Sequence, residues 1–355
     1  MTVIGDRPVA RSRASRPSPA VLAGLAVRAL RQEAWLTPKP GLTDRRGPGA
    51  HHDMNLPLLL ASAESLRPTF RSAAATAART NTDAALRELR EELGRLGRAG
   101  EVAMLRTTRG VNTHRGALWA LGLLVAAAVG AGDEREAACR AAGLAALPDR
   151  YLPGGRVSHG ERARRRYGAR GAGGEAEAGF PHVIEVALPR LRRARAAGRT
   201  EEVARLDALL EVMSLLDDTC VLHRGGPEGL RVVRSGAERV LAEGGAGTAP
   251  GRAALAELDG QCTARRLSPG GSADLLAAAL FLDMVPWPET DSRTEGPETV
   301  PRTAGLVPWP YPAPWTGGPY CAPWTGGPDP VPRTGGPETD SRTGGGRIPF
   351  PGPEA

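Results

Sequence analysis

Acidic, basic and imidazole side chains gather in five segments of this 355-residue chain, each between two stretches of helical pattern. The first runs from Lys39 through Asp44 to His51-His52-Asp53-Met54. Lys39 is the only lysine among 46 basic residues. Lysine is a compact ammonium on a flexible stem and arginine a planar fork that keeps its proton, so one lysine in an arginine-rich chain is either an accident of composition or a place where arginine does not serve. The second segment is Thr108-Arg109-Gly110-Val111-Asn112-Thr113-His114-Arg115-Gly116. The third is Ser158-His159-Gly160-Glu161-Arg162 with the glycine-rich stretch from Tyr167 to Phe180. The fourth runs from Leu216-Asp217-Asp218-Thr219 to His223-Arg224-Gly225-Gly226-Pro227. The fifth is Ser268-Pro269-Gly270-Gly271-Ser272-Ala273-Asp274.

Two of these segments suit phosphate. In Arg224-Gly225-Gly226-Pro227 and Ser268-Pro269-Gly270-Gly271-Ser272, glycines precede a helix start, where unpaired N–H groups and the positive helix end face an anion. Plain helix capping by Ser and Gly is the competing reading. Asp217 and Asp218 are adjacent and cannot share a helical face, so at most one of them points into a site. Asp218, close in sequence to His223, suits Mg²⁺ on a polyphosphate or the proton of a hydroxyl. A carboxylate closing a helix opposes the helix dipole, which argues against a purely structural role. Asp44 and Asp53 are similar candidates, with capping of the next helix the alternative for Asp53. Asn112 could cap the helix after it, whereas capping does not explain His114 and Arg115. Glu161, Glu175 and Glu177 are ambiguous, since Glu161 can pair with Arg162, Arg164 or Arg165.

The elements that must position these groups are helices. Ser18-Pro19 supplies a cap and a first-turn proline, and Val21, Leu22, Leu25, Ala29 and Leu30 recur at helical spacing until Pro38. Similar patterns run over 57–66, 82–96, 116–129, 133–147, 181–197, 200–216, 227–242, 252–265 and 272–281. Alanine and leucine dominate and strand signals are nearly absent, so the expected fold is all-α, a single multi-helix domain over 18–285. Residues 1–17 are Arg/Pro/Ser-rich. Residues 286–355 repeat Pro-Trp-Thr-Gly-Gly-Pro and are too poor in apolar surface to offset ordering entropy, so a disordered tail is expected there.

A net charge of +7 permits an anionic partner. The charge is interspersed, however: Arg87-Glu88-Leu89-Arg90-Glu91-Glu92 reads as a solvated helix face. The four cysteines lie far apart without a C-x-x-C pair, and no secretory signal is visible, so a reducing cytoplasm is expected. The uncharged stretch 116–132 is short and glycine-interrupted for a membrane span and reads as a buried central helix. No P-loop, H-E-x-x-H, cysteine quartet or strand–G-x-G-x-x-G–helix unit is present. Any nucleotide is therefore held by a helical scaffold.

Together the motifs resemble the triphosphoribosyl-dephospho-CoA synthase family. The resemblance rests on Thr37-Pro38-Lys39-Pro40-Gly41-Leu42 with Gly49-Ala50-His51-His52-Asp53-Met54, on Gly110-Val111-Asn112-Thr113-His114-Arg115-Gly116, on His159-Gly160-Glu161-Arg162, on Gly174-Glu175-Ala176-Glu177 with Gly179-Phe180-Pro181, on Leu216-Asp217-Asp218-Thr219 with His223-Arg224-Gly225-Gly226, and on Ser268 to Leu276. The form of Asp217-Asp218-Thr219 with His223-Arg224-Gly225-Gly226 looks more like the malonate decarboxylase branch than the citrate lyase branch.

The resemblance implies an all-α enzyme. It would displace adenine from ATP with the ribose 2′-hydroxyl of 3′-dephospho-CoA, making the precursor of an acyl-carrier-protein prosthetic group. A downstream enzyme that modifies the carrier protein would be a further partner; nucleic acid and membrane would not. It implies Mg²⁺ with Asp44, Asp53 or Asp218 as ligands, Asp218 or Asp53 as base, and His52, His114 or His223 in proton transfer. Lys39, His52, Asn112, Arg115, Arg224, Gly225, Gly226, Ser268, Gly270, Gly271 and Ser272 would hold the substrates. Three positions depart from the pattern: Arg109 where a glycine is usual, Gly173 where an arginine and its phosphate contact are expected, and Arg266 near a common asparagine. A helical Mg²⁺-dependent nucleotide hydrolase and a non-enzymatic helical protein binding polyanions or a carrier protein are the competing readings.

Overall fold

The computed structural model describes residues 16–80, 85–152 and 159–288. Both expected non-globular ends fall outside these residues except 16–17 and 286–288, as do Ser158 and the expected helix start at Thr82. Among the described residues the elements are helices: α1 (Pro19–Trp35), α2 (Leu56–Ser65), α3 (Arg67–Ala77), α4 (Ala85–Thr107), α5 (Arg115–Ala128), α6 (Glu134–Ala146), α7 (His159–Tyr167), α8 (Gly171–Glu177), a π-helical turn (His182–Ala187) running into α9 (Leu188–Ala196), α10 (Glu201–Leu215), α11 (Thr219–Ala242), α12 (Ala249–Ala264) and α13 (Gly270–Met284). The all-α expectation holds.

Local chemistry sets the helix starts. Ser18, Asn55, Asp133, Thr200, Asp218 and Thr248 each accept a backbone N–H of the first turn. The differences from the sequence reading have equally local causes. Pro68 stands in the first turn of α3, where it opens a helix instead of ending one. The glycines at 97 and 100 do not stop α4, which continues to Thr107. The segment 216–227, expected as a loop, is helical from Thr219 and kinks at Gly226 (φ 60°, ψ −161°), after which Pro227 starts the second part of α11.

Helices α5 and α13 form the centre. Ten of the 14 residues of α5 are buried, and α5 packs on α3, α4, α6 and α13. Each buried leucine in it adds about 1.5–3 kcal/mol of transfer free energy. No helix among the described residues is long and apolar enough to cross a membrane. The N-termini of α5, α11 and α13 carry the second, fourth and fifth polar segments.

Candidate active site

Asp218 joins two of these N-termini. Its Oδ1 accepts the N–H of Cys220 (2.9 Å) and of Val221 (3.4 Å) in the first turn of α11. Its Oδ2 accepts the N–H (2.9 Å) and the Oγ–H (3.0 Å) of Ser272 in the first turn of α13. One buried carboxylate thus neutralises the positive ends of two helices. Burial pushes its pKa up, and the donors of Ser272, Cys220 and Gly271 pull the other way. This corrects two expectations. Asp218 opens a helix and does not close one, so the dipole argument reverses. The donors of Gly271 and Ser272, expected to hold phosphate, already hold Asp218, while Gly270 donates to Ser268 O at 2.9 Å. Asp217 points away and pairs with Arg234 at 2.9 Å.

Asp274, one turn into α13, faces the N-terminus of α5, where the Ala117 N–H donates to it. The approach needs Gly116: a Cβ there would lie 2.0 Å from Asp274 Oδ2. Asp274 keeps some solvent access. Its carboxyl is raised well above the usual range, first by desolvation and then by the charges of Glu33 and Asp218. Two carboxyl groups at three helix N-termini thus form the centre of the site.

Lys39 lies at the edge of this centre, fully enclosed. Its Nζ donates to Glu33 Oε1 at 2.5 Å and to the Glu33 carbonyl at 2.9 Å. The expected phosphate ligand is instead half of a buried ion pair. Asp44 is likewise satisfied internally. Oδ2 takes Thr37 Oγ1 and Lys39 N, both at 2.9 Å, and Oδ1 takes Arg46 N at 2.7 Å. The Arg46 guanidinium forks onto the same carboxylate. Burial would raise this carboxyl, but these donors bring it below the usual range.

His114 is buried, with Nδ1 2.8 Å from Ser62 Oγ and Nε2 without a partner. Desolvation and the nearby Lys39 lower its pKa to about 4, so the ring is neutral at pH 7. His51 is held from both sides. Arg224 Nη2 lies 3.2 Å from Nδ1, and Ser268 Oγ lies 2.8 Å from Nε2. A guanidinium only donates, so Nδ1 accepts and Nε2 carries the proton. Burial and Arg224 lower His51 to about 4 as well. Arg224 also donates to Ala50 O (3.3 Å) and Arg266 O (3.2 Å), tying together the loops that flank α13 and the first polar segment.

The family described as ATP:dephospho-CoA triphosphoribosyl transferase matches residues 19–292 of this chain. The chain belongs to this family. Proteins named as probable 2-(5″-triphosphoribosyl)-3′-dephosphocoenzyme-A synthase are similar to it. That of Pseudomonas paraeruginosa is 56% identical over 269 residues, 75% of this chain and 90% of the relative. That of Azotobacter vinelandii is 56% identical over 272 residues, 76% and 92%. That of Pseudomonas savastanoi is 55% identical over 288 residues, 80% and 96%. No solved structure matches the chain. As a member of the triphosphoribosyl-dephospho-CoA synthase family, the protein is an enzyme, a transferase of the pentosyl group.

The remaining positions expected for a triphosphoribosyl-dephospho-CoA synthase lie outside the buried centre. His52, Asp53, Asn112, Arg115 and His223 are exposed. Arg115 pairs with Glu101 at 2.9 Å, and Asp53 approaches His51 at 3.7 Å. Neither expected cap forms: Asn55 caps α2, and α5 starts at His114 without a side-chain cap. Gly225 is explained by packing, since a Cβ there would lie 2.4 Å from Leu267 Cδ2. Glu175 accepts the N–H (2.9 Å) and Nδ1–H (2.8 Å) of His182 and so fixes the start of the π-helical turn.

The expected Mg²⁺ ligands do not fit a metal cage. Asp44 and Asp218 are filled by N–H and O–H donors, Asp53 is exposed, and no group of three His, Cys, Asp or Glu suited to a metal exists among the described residues. Two residues of the centre were given no role from the sequence. Asp274 was visible as the acid of the fifth polar segment, at the head of an apolar helix. Glu33 lies on the same stripe as Leu22, Ala26, Ala29 and Leu30, which is the signal of a buried acid.

Proposed function

We propose that the protein transfers the 5-triphosphoribosyl group of ATP to the ribose 2′-hydroxyl of 3′-dephospho-CoA and releases adenine. The convergence of the N-termini of α5, α11 and α13 on the Asp218–Asp274 carboxyl pair carries this reading. In the transfer the C1′–N9 bond of ATP breaks, a bond forms from O2′ of dephospho-CoA to C1′, and the 2′-hydroxyl proton must leave. An oxocarbenium-like ribose gains from nearby negative charge, and the attacking hydroxyl from a base.

Asp274 is the proposed base. It is partly accessible and its carboxyl is raised well above the usual range, whereas the oxygens of Asp218, also raised by burial, are occupied by backbone and hydroxyl donors. Asp218 sets the register of α11 against α13, and Lys39 positions Glu33 beside Asp274. With Ser62 donating to Nδ1, His114 carries its proton on Nε2 and is the proposed donor to the departing adenine. Arg224 and the exposed His52, Asp53 and His223 stay in the proposal as contacts at the rim. Magnesium enters it only as the ion that arrives on the triphosphate. The form of the Asp217–Gly226 segment supports malonate decarboxylase as the destination of the product, in the cytoplasm where both substrates occur.

The test is incubation with ATP, Mg²⁺ and dephospho-CoA. Free adenine together with triphosphoribosylated product is expected, and ADP or AMP with phosphate would establish a hydrolase instead. Asp274→Asn keeps the size of the side chain and should lower turnover at least a hundredfold with the fold intact. Turnover within threefold of wild type would remove Asp274 as base.

A further inference from the structure

Serines and threonines on helices commonly bond back to a carbonyl one turn earlier. Thr107 and Ser235 do so here, to Ala103 O at 3.0 Å and to Arg231 O at 2.8 Å. The Ser62 hydroxyl in α2 instead turns away from its own helix. It meets two side chains of the segment ahead of α5, Thr113 Oγ1 at 2.6 Å and His114 Nδ1 at 2.8 Å. Ser62 and His114 are buried, whereas Thr113 is partly exposed. The three side chains form a single file from the surface to the far side of the His114 ring.

The file can be satisfied in two opposite senses. With the ring proton on Nε2, Thr113 donates to Ser62 and Ser62 to Nδ1. With the ring proton on Nδ1, each bond reverses, because a hydroxyl both donates and accepts. The backbone of His114 is held independently of this choice. Its N–H meets Met104 Sδ at 3.3 Å, its carbonyl accepts Leu118 N at 2.7 Å, and its ring caps nothing.

A neutral imidazole is a poor acid by itself. Giving up the Nε2 proton alone would leave an imidazolate, a stronger base than the adenine it is to protonate. Burial and Lys39 keep the ring from the imidazolium form as well. One course stays open: Nδ1 gains a proton as Nε2 loses one.

We propose that Thr113 and Ser62 are positioning residues that pass a proton to His114 Nδ1 while Nε2 gives one to the departing adenine, so that the ring changes tautomer and not charge. This rests on the transferase reading. As the C1′–N9 bond breaks, its electron pair stays with the base. The Nε2 proton moves to a ring nitrogen of adenine, the Ser62 proton to Nδ1, the Thr113 proton to Ser62 Oγ, and a water proton to Thr113 Oγ1. The hydroxide formed at the surface is neutralised by the proton that Asp274 takes from the 2′-hydroxyl and then sheds. Once adenine has left, water in the site returns a proton to Nε2 and the file runs back.

Two measurements on the full chain test the relay. Nitrogen–proton correlation NMR at pH 7, with His114→Gln to assign the ring, should find the His114 proton on Nε2 and an Nδ1 resonance that shifts in Ser62→Ala. Single-turnover adenine release is then followed in mixtures of light and heavy water, with circular dichroism reporting folding. Wild type should depend on the deuterium fraction along a curve, since several protons move together. Thr113→Val, of similar shape, should release adenine about tenfold more slowly with a linear dependence, and Thr113→Ser should restore both rate and curve. A merely structural hydroxyl would change the rate and leave the curve. A proton on Nδ1 in wild type, an Nδ1 resonance indifferent to Ser62→Ala, or the same deuterium dependence in wild type and Thr113→Val overturns the proposal. A wild type that releases no adenine would instead lose the transferase reading, and the nitrogen resonances would still decide whether the hydroxyl file reaches Nδ1.

Discussion

Replacing Asp218 by alanine removes four hydrogen-bond acceptances at once: Cys220 N and Val221 N in α11, and Ser272 N and Ser272 Oγ in α13. Loss of an N-cap costs about 1 kcal/mol, and up to roughly 2 in a well-packed site. The Ser272 N–H is buried at the start of a central helix and would keep no partner, at a further cost of about 1–3 kcal/mol. The Ser272 hydroxyl can rotate to another acceptor, so it adds little. The sum is on the order of 2–5 kcal/mol, a large part of the ~5–15 kcal/mol that holds a domain together. Asp218→Asn keeps one acceptor oxygen and presents an amide N–H₂ to the other helix, so roughly half the loss is expected. Urea titration followed by far-UV circular dichroism measures both, and initial rates of adenine release under folding conditions separate stability from chemistry. Asp218→Ala within 1 kcal/mol of wild type would refute the double-cap reasoning. A loss of activity below tenfold in the folded variant would remove Asp218 from the site altogether.

The Lys39–Glu33 pair gives a second prediction. Lys39→Met leaves a buried carboxylate uncompensated and should destabilise by about 3–5 kcal/mol, whereas Glu33→Gln/Lys39→Met should recover most of it; a double-mutant cycle in urea without coupling would refute the pair. Lys39→Arg forces a guanidinium into an enclosed site, and large losses of stability and turnover are expected; near-normal turnover would return the lone lysine to an accident of composition. Stability should also depend on acid. The folded pKa values of His114 and His51 are about 4 against about 6.5 unfolded, so the contribution of both rings is complete above pH 6.5 and is lost as pH falls toward 4. The gap is worth roughly 3 kcal/mol at buried His114 and less at the partly exposed His51; urea midpoints between pH 7.5 and 4.5 measure it, and His114→Gln should flatten the slope. Finally, Arg109 and Arg266 both stand at φ 56°, in the left-handed region that suits glycine and asparagine. Arg109→Gly and Arg266→Asn should each raise the melting temperature, corresponding to about 0.5–1 kcal/mol; a fall in either would contradict the strain.

These two arginines show what the sequence could and could not convey. As departures from a family pattern they are visible in the letters, but their cost depends on a backbone angle that only the fold reveals. The helical stripe of α1 and the apolar run of α5 are local, and both are where the periodicity puts them. Asp44 was legible in principle as well: Asp-Arg-Arg-Gly-Pro-Gly is turn chemistry, and the Asp44 Oδ1 to Arg46 N bond is the result. The partners of Asp218 and Lys39 were less legible. Asp218 meets Ser272 across 54 positions of sequence, so nothing local distinguishes a carboxylate that caps a distant helix from one that awaits a phosphate. At α13 the N–H groups expected to meet a phosphate meet the protein's own Asp218 carboxylate instead.

The enclosure of Lys39 has a practical consequence. The ε-amine of Lys39 is the only one in the chain, and it is 1% exposed. Acylating reagents that attack uncharged amines therefore find, on the folded enzyme, the α-amino group alone. Mass added at residue 39 would count the occasions on which the loop carrying it comes away from α1. The protein thus carries a built-in chemical clock for opening of the wall of the candidate site, readable by mass spectrometry without any engineered label, and a bound substrate that seals this wall would slow it.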